Sequence, residues 1–263
     1  MTEQTIRFDD GKAYERAMGV WSQLAGNVFL DWLAAPHGQR WLDVGCGNGA
    51  FTELLVQRCA PGEMQGIDPS EAQISYARGR PTLRTATLQQ GDAMALPFPA
   101  DRFDAAAMAL VIFFVPEPPK GVAEMARVVR PGGIVAAYAW DIPGGGLPFA
   151  PLAAELREMG RQMPLPPNPD AGREEALRTL WKNAGLEEIE TREITVRRTF
   201  ADFDDFWAAN TSIGSFRQAI EQMGPAQVEH LIARVRARLP SADTQGRVTY
   251  ASRANAIKGR VPA

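Results

Sequence analysis

Three aspartates stand where a chain could hold a ligand. Asp43 lies two residues ahead of Gly45 in "WLDVGCGNGAF", Asp68 closes "GEMQGID", and Asp92 opens "GDAMALPFPADRFD". Each follows a short apolar run, so each is expected where a strand gives way to a loop. Gly45, Gly47 and Ala50 also satisfy the G-x-G-x-x-G/A spacing that brings backbone close to a ligand at a helix N-terminus. In a dinucleotide site that helix end faces a pyrophosphate, and the loop should be neutral or positive. Asp43 opposes this, because like charges about 4 Å apart at an effective dielectric of about 20 repel by roughly 4 kcal/mol before relaxation.

A cationic nucleoside ligand reverses the sign of that interaction. S-adenosylmethionine carries an ammonium and a sulfonium and no phosphate, so a carboxylate beside the loop favours it. Asp68 suits ribose hydroxyls, a role that serves NAD and S-adenosylmethionine equally. Asp92, at the end of a third strand, suits the exocyclic amine of adenine, with Ala93 and Met94 offering apolar and backbone contacts to the ring.

The elements that must position these residues follow a βαβ rhythm from Arg40 to about Asp141. Strands are expected at "RWLDVG", "GEMQGID", "TLRTATLQQGD", "FDAAAMAL" and "GIVAAYAWD", and helices at "GAFTELLVQRC", "SEAQISYARG" and "PKGVAEMARVVR", with "RPGG" as a stop between the last helix and the last strand. Ahead of them, Lys12 to Leu33 reads as one or two helices whose aromatic residues either pack on the sheet or cover a ligand. After Asp141, "IPGGGLPFAPL" and "RQMPLPPNPD" bracket a short helix over Leu152 to Arg161, an inserted excursion. "GREEALRTLWKNAGL" and "EEIETREITVRRTF" resume the helix and strand pattern. Two helices separated by "MGP" are expected over Asp202 to Leu239, and "RVTYASRANAIKGRV" closes the chain as a strand. The expected division is 1–39 a helical cap, 40–141 the cofactor-binding core, 142–172 an insertion, 173–200 a core helix and strand, 201–243 a helical substrate cap, and 244–263 the final core strand.

Composition bounds the function. The 263 residues carry 28 Lys and Arg against 31 Asp and Glu, for a formal charge of -3, and no basic run makes a phosphate-tracking surface. Nucleic acid is therefore not the expected partner; a small molecule is. The N-terminal stretch lacks a secretory pattern, and no segment reaches the roughly 20 apolar residues of a membrane span, so the protein reads as cytoplasmic. The two cysteines, Cys46 and Cys59, form neither a disulfide framework nor a metal-binding pair, and no metal is expected. A monomer or a homodimer fits equally well.

In register from Trp41 to Asp141, "LDVGCGNGAFTELL", "GIDPSEAQISYAR", "GDAMALPFPADRFDAAAMAL" and "EMARVVRPGGIVAAYAW" resemble the class I S-adenosylmethionine-dependent methyltransferases. The likeness is to the small-molecule branch that includes the ubiquinone and menaquinone biosynthesis enzymes, in which "YERAMGVWSQLAGNVFLDWL" resembles the N-terminal cap. The resemblance implies an α/β, Rossmann-like sheet of seven mostly parallel strands with the last antiparallel, plus a helical cap and insertions. It implies S-adenosylmethionine as cofactor, with Gly45, Cys46 and Gly47 along the methionine end near Asp43. It further places Asp68 and Pro69 at the ribose, Asp92 and Ala93 at the adenine, and Leu110 beside the reacting methyl. By the same analogy Tyr14 and Trp21 close over the cofactor.

The resulting expectation is methyl transfer to a small, largely apolar acceptor by in-line displacement. Such a reaction needs a base only if the acceptor must lose a proton, so the catalytic residues stay open. Tyr138 and Asp141 stand at the end of the fifth strand and His230 in the C-terminal helices; these are the weak candidates. Cys46 suits a crowded loop by its size and needs no chemical role. Two alternatives remain at this point: an NAD-dependent oxidoreductase, from the glycine spacing, and a protein that binds S-adenosylmethionine without turnover.

Overall fold

A computed structural model describes residues 15–161 and 164–263. A seven-stranded sheet runs through them, built from β1 (Arg40–Val44), β2 (Glu63–Asp68), β3 (Thr87–Gln90), β4 (Phe103–Ala109), β5 (Val129–Trp140), β6 (Glu187–Phe200) and β7 (Val248–Arg260), in the order β3-β2-β1-β4-β5-β7-β6. All neighbouring pairs are parallel except those of β7, which runs antiparallel to both β5 and β6. The expected architecture is therefore the observed one. Six strands end at one edge, and the order reverses beside β1, which puts the loop after β1 at the switch point where ligands bind in such sheets.

The central strands are apolar throughout because helices cover both faces. β4, "FDAAAMA", is buried from Ala105 to Met108. Its small side chains leave room for α4 (Pro118–Val128). β6 alternates instead, with Ile194, Val196 and Phe200 buried and charged residues between them, as an edge strand half open to water requires. The helices of the core are α1 (Val20–Leu33, preceded by a π-helical turn), α2 (Ala50–Cys59), α3 (Glu71–Arg78), α4 and α6 (Glu174–Asn183). Ser70 caps α3 by accepting from the Gln73 amide at 3.4 Å. α1 lies over β5, β6 and β7: Phe29 meets Tyr138 at 4.8 Å, Trp21 meets Tyr250 at 6.3 Å, and Lys258 sits over Trp32 at 4.7 Å.

Three local expectations change. The third strand is only Thr87–Gln90, because Pro81, with no amide hydrogen, starts a 3-10 turn over Pro81–Leu83 instead. "RPGG" does not separate helix from strand. β5 begins at Val129, and the ladder to β4 slips from Phe103↔Val129 to Ala105↔Ile134, with Gly132 at φ 73° in the bulge. Asp202 to Leu239 holds three helices, α7 (Phe203–Thr211), α8 (Gly214–Glu221) and α9 (Pro225–Arg238), since "SIG" breaks the first stretch before "MGP" breaks the second. With α5 (Ala150–Glu158) in the segment after β5, these helices rise from the carboxyl edge. Arg234 and Arg238 of α9 grip Glu155 and Glu158 of α5, and Phe149 meets Phe216 of α8 at 5.0 Å.

Candidate functional site

The loop from β1 to α2 is made by backbone geometry. Gly45 has φ 79° and Gly47 φ 51°, conformations that side chains disfavour. At Gly45 the reason is also crowding, for a Cβ would meet the Val111 side chain at 2.5 Å. At Gly47 the space is open, and the nearest atom to a Cβ would be Asp68 Oδ2 at 4.0 Å. The Gly45 and Cys46 amides both donate to the Ile67 carbonyl, at 2.8 and 2.9 Å, which ties the loop to β2.

Two carboxylates bracket this loop. Asp68 accepts from the Gly47 amide through Oδ2 and from the Ser70 amide through Oδ1, each at 2.9 Å. Burial raises its pKa, against the pull of those two hydrogen bonds. Asp43 is fully buried; its Oδ2 accepts from Thr52 Oγ1 at 2.6 Å, and its Oδ1 has no hydrogen-bond partner among the described residues. Burial first, and then the negative charge of Asp68, push its pKa up to about 7, although the Thr52 hydroxyl works the other way. Among the described residues no ion pair joins an Arg or Lys to either group. A buried carboxylate without a cation is costly, so the arrangement fits a ligand that brings positive charge. That orphaned oxygen and the open cradle at Gly47 match the ammonium and sulfonium of S-adenosylmethionine.

The other candidates fall in several places. Asp92, exposed, accepts from the Met94 amide at 2.8 Å in the turn after β3, with Ala93 half-buried beside it. Pro69 is exposed, and its carbonyl accepts from Gln90 Nε2 at 2.8 Å. Leu110 adopts φ 63° just after β4 and donates its amide to the Tyr138 carbonyl at 2.8 Å. Cys46 offers the loop only its backbone. Its side chain packs with Ile74, Ala77, Leu83 and Leu88, and burial pushes its thiol pKa well up.

Trp21 is fully buried between Phe200 and Tyr250, so in this structure it packs α1 onto the sheet rather than flanking an open cleft. Tyr14 lies outside the described residues. Of the candidate bases, Tyr138 is buried with its hydroxyl donating to the Ser22 carbonyl at 3.5 Å. Asp141 pairs with Arg253 at 2.5 Å and accepts from the Gly144 amide, holding the turn after β5. His230 is exposed on α9. The structure thus gives each of these three a place in the scaffold and brings none of them to Asp43 or Asp68 by a hydrogen bond. Sequence reasoning missed Thr52 and Val111. Nothing in "FTELL" or "LVIFF" marks them, because their roles exist only once α2 and the loop after β4 are set against β1.

Comparison with known proteins points to the same cofactor. Residues 42–137 match the family described as a methyltransferase domain. A 2-phytyl-1,4-naphtoquinone methyltransferase of Synechococcus elongatus is 33% identical over 145 residues, covering 53% of this chain and 58% of that protein. A demethylmenaquinone methyltransferase of Symbiobacterium thermophilum is 40% identical over 111 residues, covering 39% of this chain and 44% of that one. The matched stretches thus span about half the length of these relatives. Among solved structures, phosphoethanolamine N-methyltransferase 2 of Haemonchus contortus, bound to S-adenosylmethionine, shares the fold at a TM-score of 0.62 and 18% identity, over 99% of this chain and 59% of that one. Over residues 42–137 the chain is thus similar to the methyltransferase domain family, and both of these relatives are methyltransferases of quinone-type molecules by name.

Proposed function

We propose that the protein transfers the methyl group of S-adenosylmethionine to a small, largely apolar acceptor of the quinone type. The observation that carries this reading is the buried Asp43 and the half-buried Asp68 around the open Gly47 cradle, with no ion-pair partner for either among the described residues. A pyrophosphate would be repelled there, which counts against the NAD reading that glycine spacing alone allows.

In this reading the backbone of Gly45, Cys46 and Gly47 lines the methionine end and Asp43 faces its positive charge. Asp68 accepts from the ribose hydroxyls with the lone pairs left free by Gly47 and Ser70, as Pro69 borders them. Asp92 and Ala93 hold the adenine, and Leu110 borders the site of transfer. S-Adenosylmethionine supplies an electrophilic methyl on a sulfonium. The chain's part is to exclude water with its roofing helices and to hold the nucleophile in line, about 3 Å away, where charge disperses as the bond forms. Tyr138, Asp141 and His230 are each engaged or exposed elsewhere, so no described residue is assigned as a base; the acceptor's own nucleophilicity drives the displacement of the sulfur, and the proton the acceptor loses is given up to solvent. The acidic net charge and the quinone-type acceptors in the names of the relatives support a small molecule over nucleic acid.

Calorimetric titration with S-adenosylhomocysteine and with NADH tests the cofactor, and mass spectrometry after incubation with a panel of reduced quinones tests the transfer. Binding of S-adenosylhomocysteine but not NADH, with a product heavier by one methyl, is expected. Binding of NADH alone would overturn the reading. Tight S-adenosylhomocysteine binding with no methylated product would turn it into a binding protein.

A further inference from the structure

Two polar side chains at the carboxyl edge of the sheet have nothing to bond among the described residues. Trp140 Nε1 and Ser252 Oγ are both without a hydrogen-bond partner among the described residues, in residues each 2% exposed. A buried donor left unmade is costly, so a fold that keeps two on one face is unusual unless something else satisfies them. The same fold does satisfy a buried indole elsewhere: Trp181 Nε1, on the opposite face of the sheet, donates to the Val135 carbonyl at 3.0 Å.

Ladder register puts the pair on one face. Trp140, the last residue of β5, stands opposite Ala254 of β7, and Ser252 lies two residues along β7 on the same side. That is the face covered by α1, since Tyr138 reaches Ser22 and Tyr250 reaches Trp21. Beyond Ser252 the face continues into rings: Tyr250 meets Trp21 at 6.3 Å and Phe206 at 6.1 Å, and Phe206 meets Phe200 at 5.2 Å. An aromatic wall thus ends in two unused donors. The end of β5 lies two strand spacings, roughly 10 Å, from the end of β1 and its glycine loop, a span that a cofactor and a bicyclic ring can bridge. Trp41 Nε1 also lacks a partner, but it sits near the start of β1, at the edge away from the loop.

We propose that Trp140 and Ser252 are the oxygen-recognising residues of the acceptor site, and that they select a fused or single aromatic ring bearing a carbonyl or hydroxyl oxygen. This rests on the methyl-transfer reading above and adds to it the groups that tell an oxygenated ring from a plain hydrocarbon. An indole N–H can only donate, and a serine hydroxyl can donate to the same oxygen or to its neighbour. The aromatic rings supply the apolar contact, and the two donors set the orientation.

The test uses 2,3-dimethyl-1,4-naphthoquinone, which has no free ring position for thiol addition, and 2,3-dimethylnaphthalene, which has the same outline and no oxygen. Each is titrated by calorimetry into the full chain saturated with S-adenosylhomocysteine. The wild type is expected to prefer the quinone by about tenfold or more. In the Trp140→Phe/Ser252→Ala variant that preference should fall to within about twofold, with hydrocarbon and S-adenosylhomocysteine affinities unchanged. Ser252→Ala alone, which removes one small atom, should lose part of the preference and covers the case in which Trp140→Phe does not fold. An equal preference in wild type and variants, or none in the wild type, overturns the inference. Failure of the wild type to bind S-adenosylhomocysteine would instead strike the methyl-transfer reading itself.

Discussion

The glycine loop and the helical roof handle charge in opposite ways. Around the loop, the buried Asp43 and the half-buried Asp68 have only hydroxyl and amide donors, and no ion pair joins an Arg or Lys to either among the described residues. In the roof, the buried Glu155 is clasped by Arg234 and Arg238. Burial pushes its pKa up, but the hydrogen bonds and charges of the two arginines prevail and leave it lowered. Asp141 is likewise held by Arg253. The roof pairs its buried carboxylate with cations of its own, whereas the loop leaves its buried carboxylate without one among the described residues. A pKa raised by burial marks the second kind of region and a lowered one the first.

The contrast is broken most severely at the loop itself. Gly45→Ala forces a Cβ against Val111 at a positive φ and should weaken S-adenosylhomocysteine binding by about 100-fold or more in calorimetry. Adding Val111→Ala relieves the clash but not the backbone strain, so only part of the affinity should return. Full affinity in the single variant would show that the loop is not held as described.

Asp68→Ala comes next. Removing an ionised acceptor should lower S-adenosylhomocysteine affinity by about 10- to 100-fold, in line with the roughly 1.5–3 kcal/mol of a hydrogen bond to a charged group. The melting temperature should move little. An unchanged affinity would remove Asp68 from the site.

Asp43 sets a pH dependence. Its folded pKa is about 7, above the ordinary aspartate value, so between roughly pH 4 and 7 the folded chain holds a proton that the unfolded chain has lost. Its contribution to stability therefore falls as pH rises through that window. A cationic ligand favours the ionised form, so S-adenosylmethionine affinity should rise by about tenfold from pH 6 to pH 8, and the ligand should raise the melting temperature more at pH 8. Asp43→Asn should flatten both trends; a flat profile in the wild type would contradict the buried, unpaired carboxylate.

The roof supplies the complementary result with the smallest effect on the cofactor. Glu155→Ala leaves Arg234 and Arg238 facing each other and should destabilise by about 2 kcal/mol, discounted because both arginines are over a third exposed. The melting temperature should fall by roughly 4–8 °C in a scanning experiment. S-Adenosylhomocysteine affinity should not change.

How far the sequence reached differs between the same two regions. "WLDVGCGNGAF" and "GIDPSE" disclosed the loop and the carboxylates beside it because a strand, a tight turn and a helix start are local events. Their requirements for positive φ, for small residues and for a carboxylate at a strand end are met within a few neighbouring residues. The roof was legible only as helices, and even their number in 202–239 changed, because short helices are selected by packing as much as by their own pattern. The aromatic stripe of the N-terminal helix could be read in two ways, and contact with β6 and β7 decided Trp21 for the core.

The amino-acid sequence by itself determined the alternation of strands and helices and the sign of charge at the loop; the antiparallel final strand came only with the family resemblance. Only the tertiary structure decided that Asp43 would be sealed from water with one oxygen unpaired. It also decided that Val111 would crowd Gly45, and that Trp140 and Ser252 would share one face without polar partners among the described residues. The physical reason is separation along the chain. A turn is specified by residues that touch in sequence, whereas burial and pairing are set by groups such as Glu155 and Arg234, 79 positions apart, that meet only when the sheet and its roof are assembled.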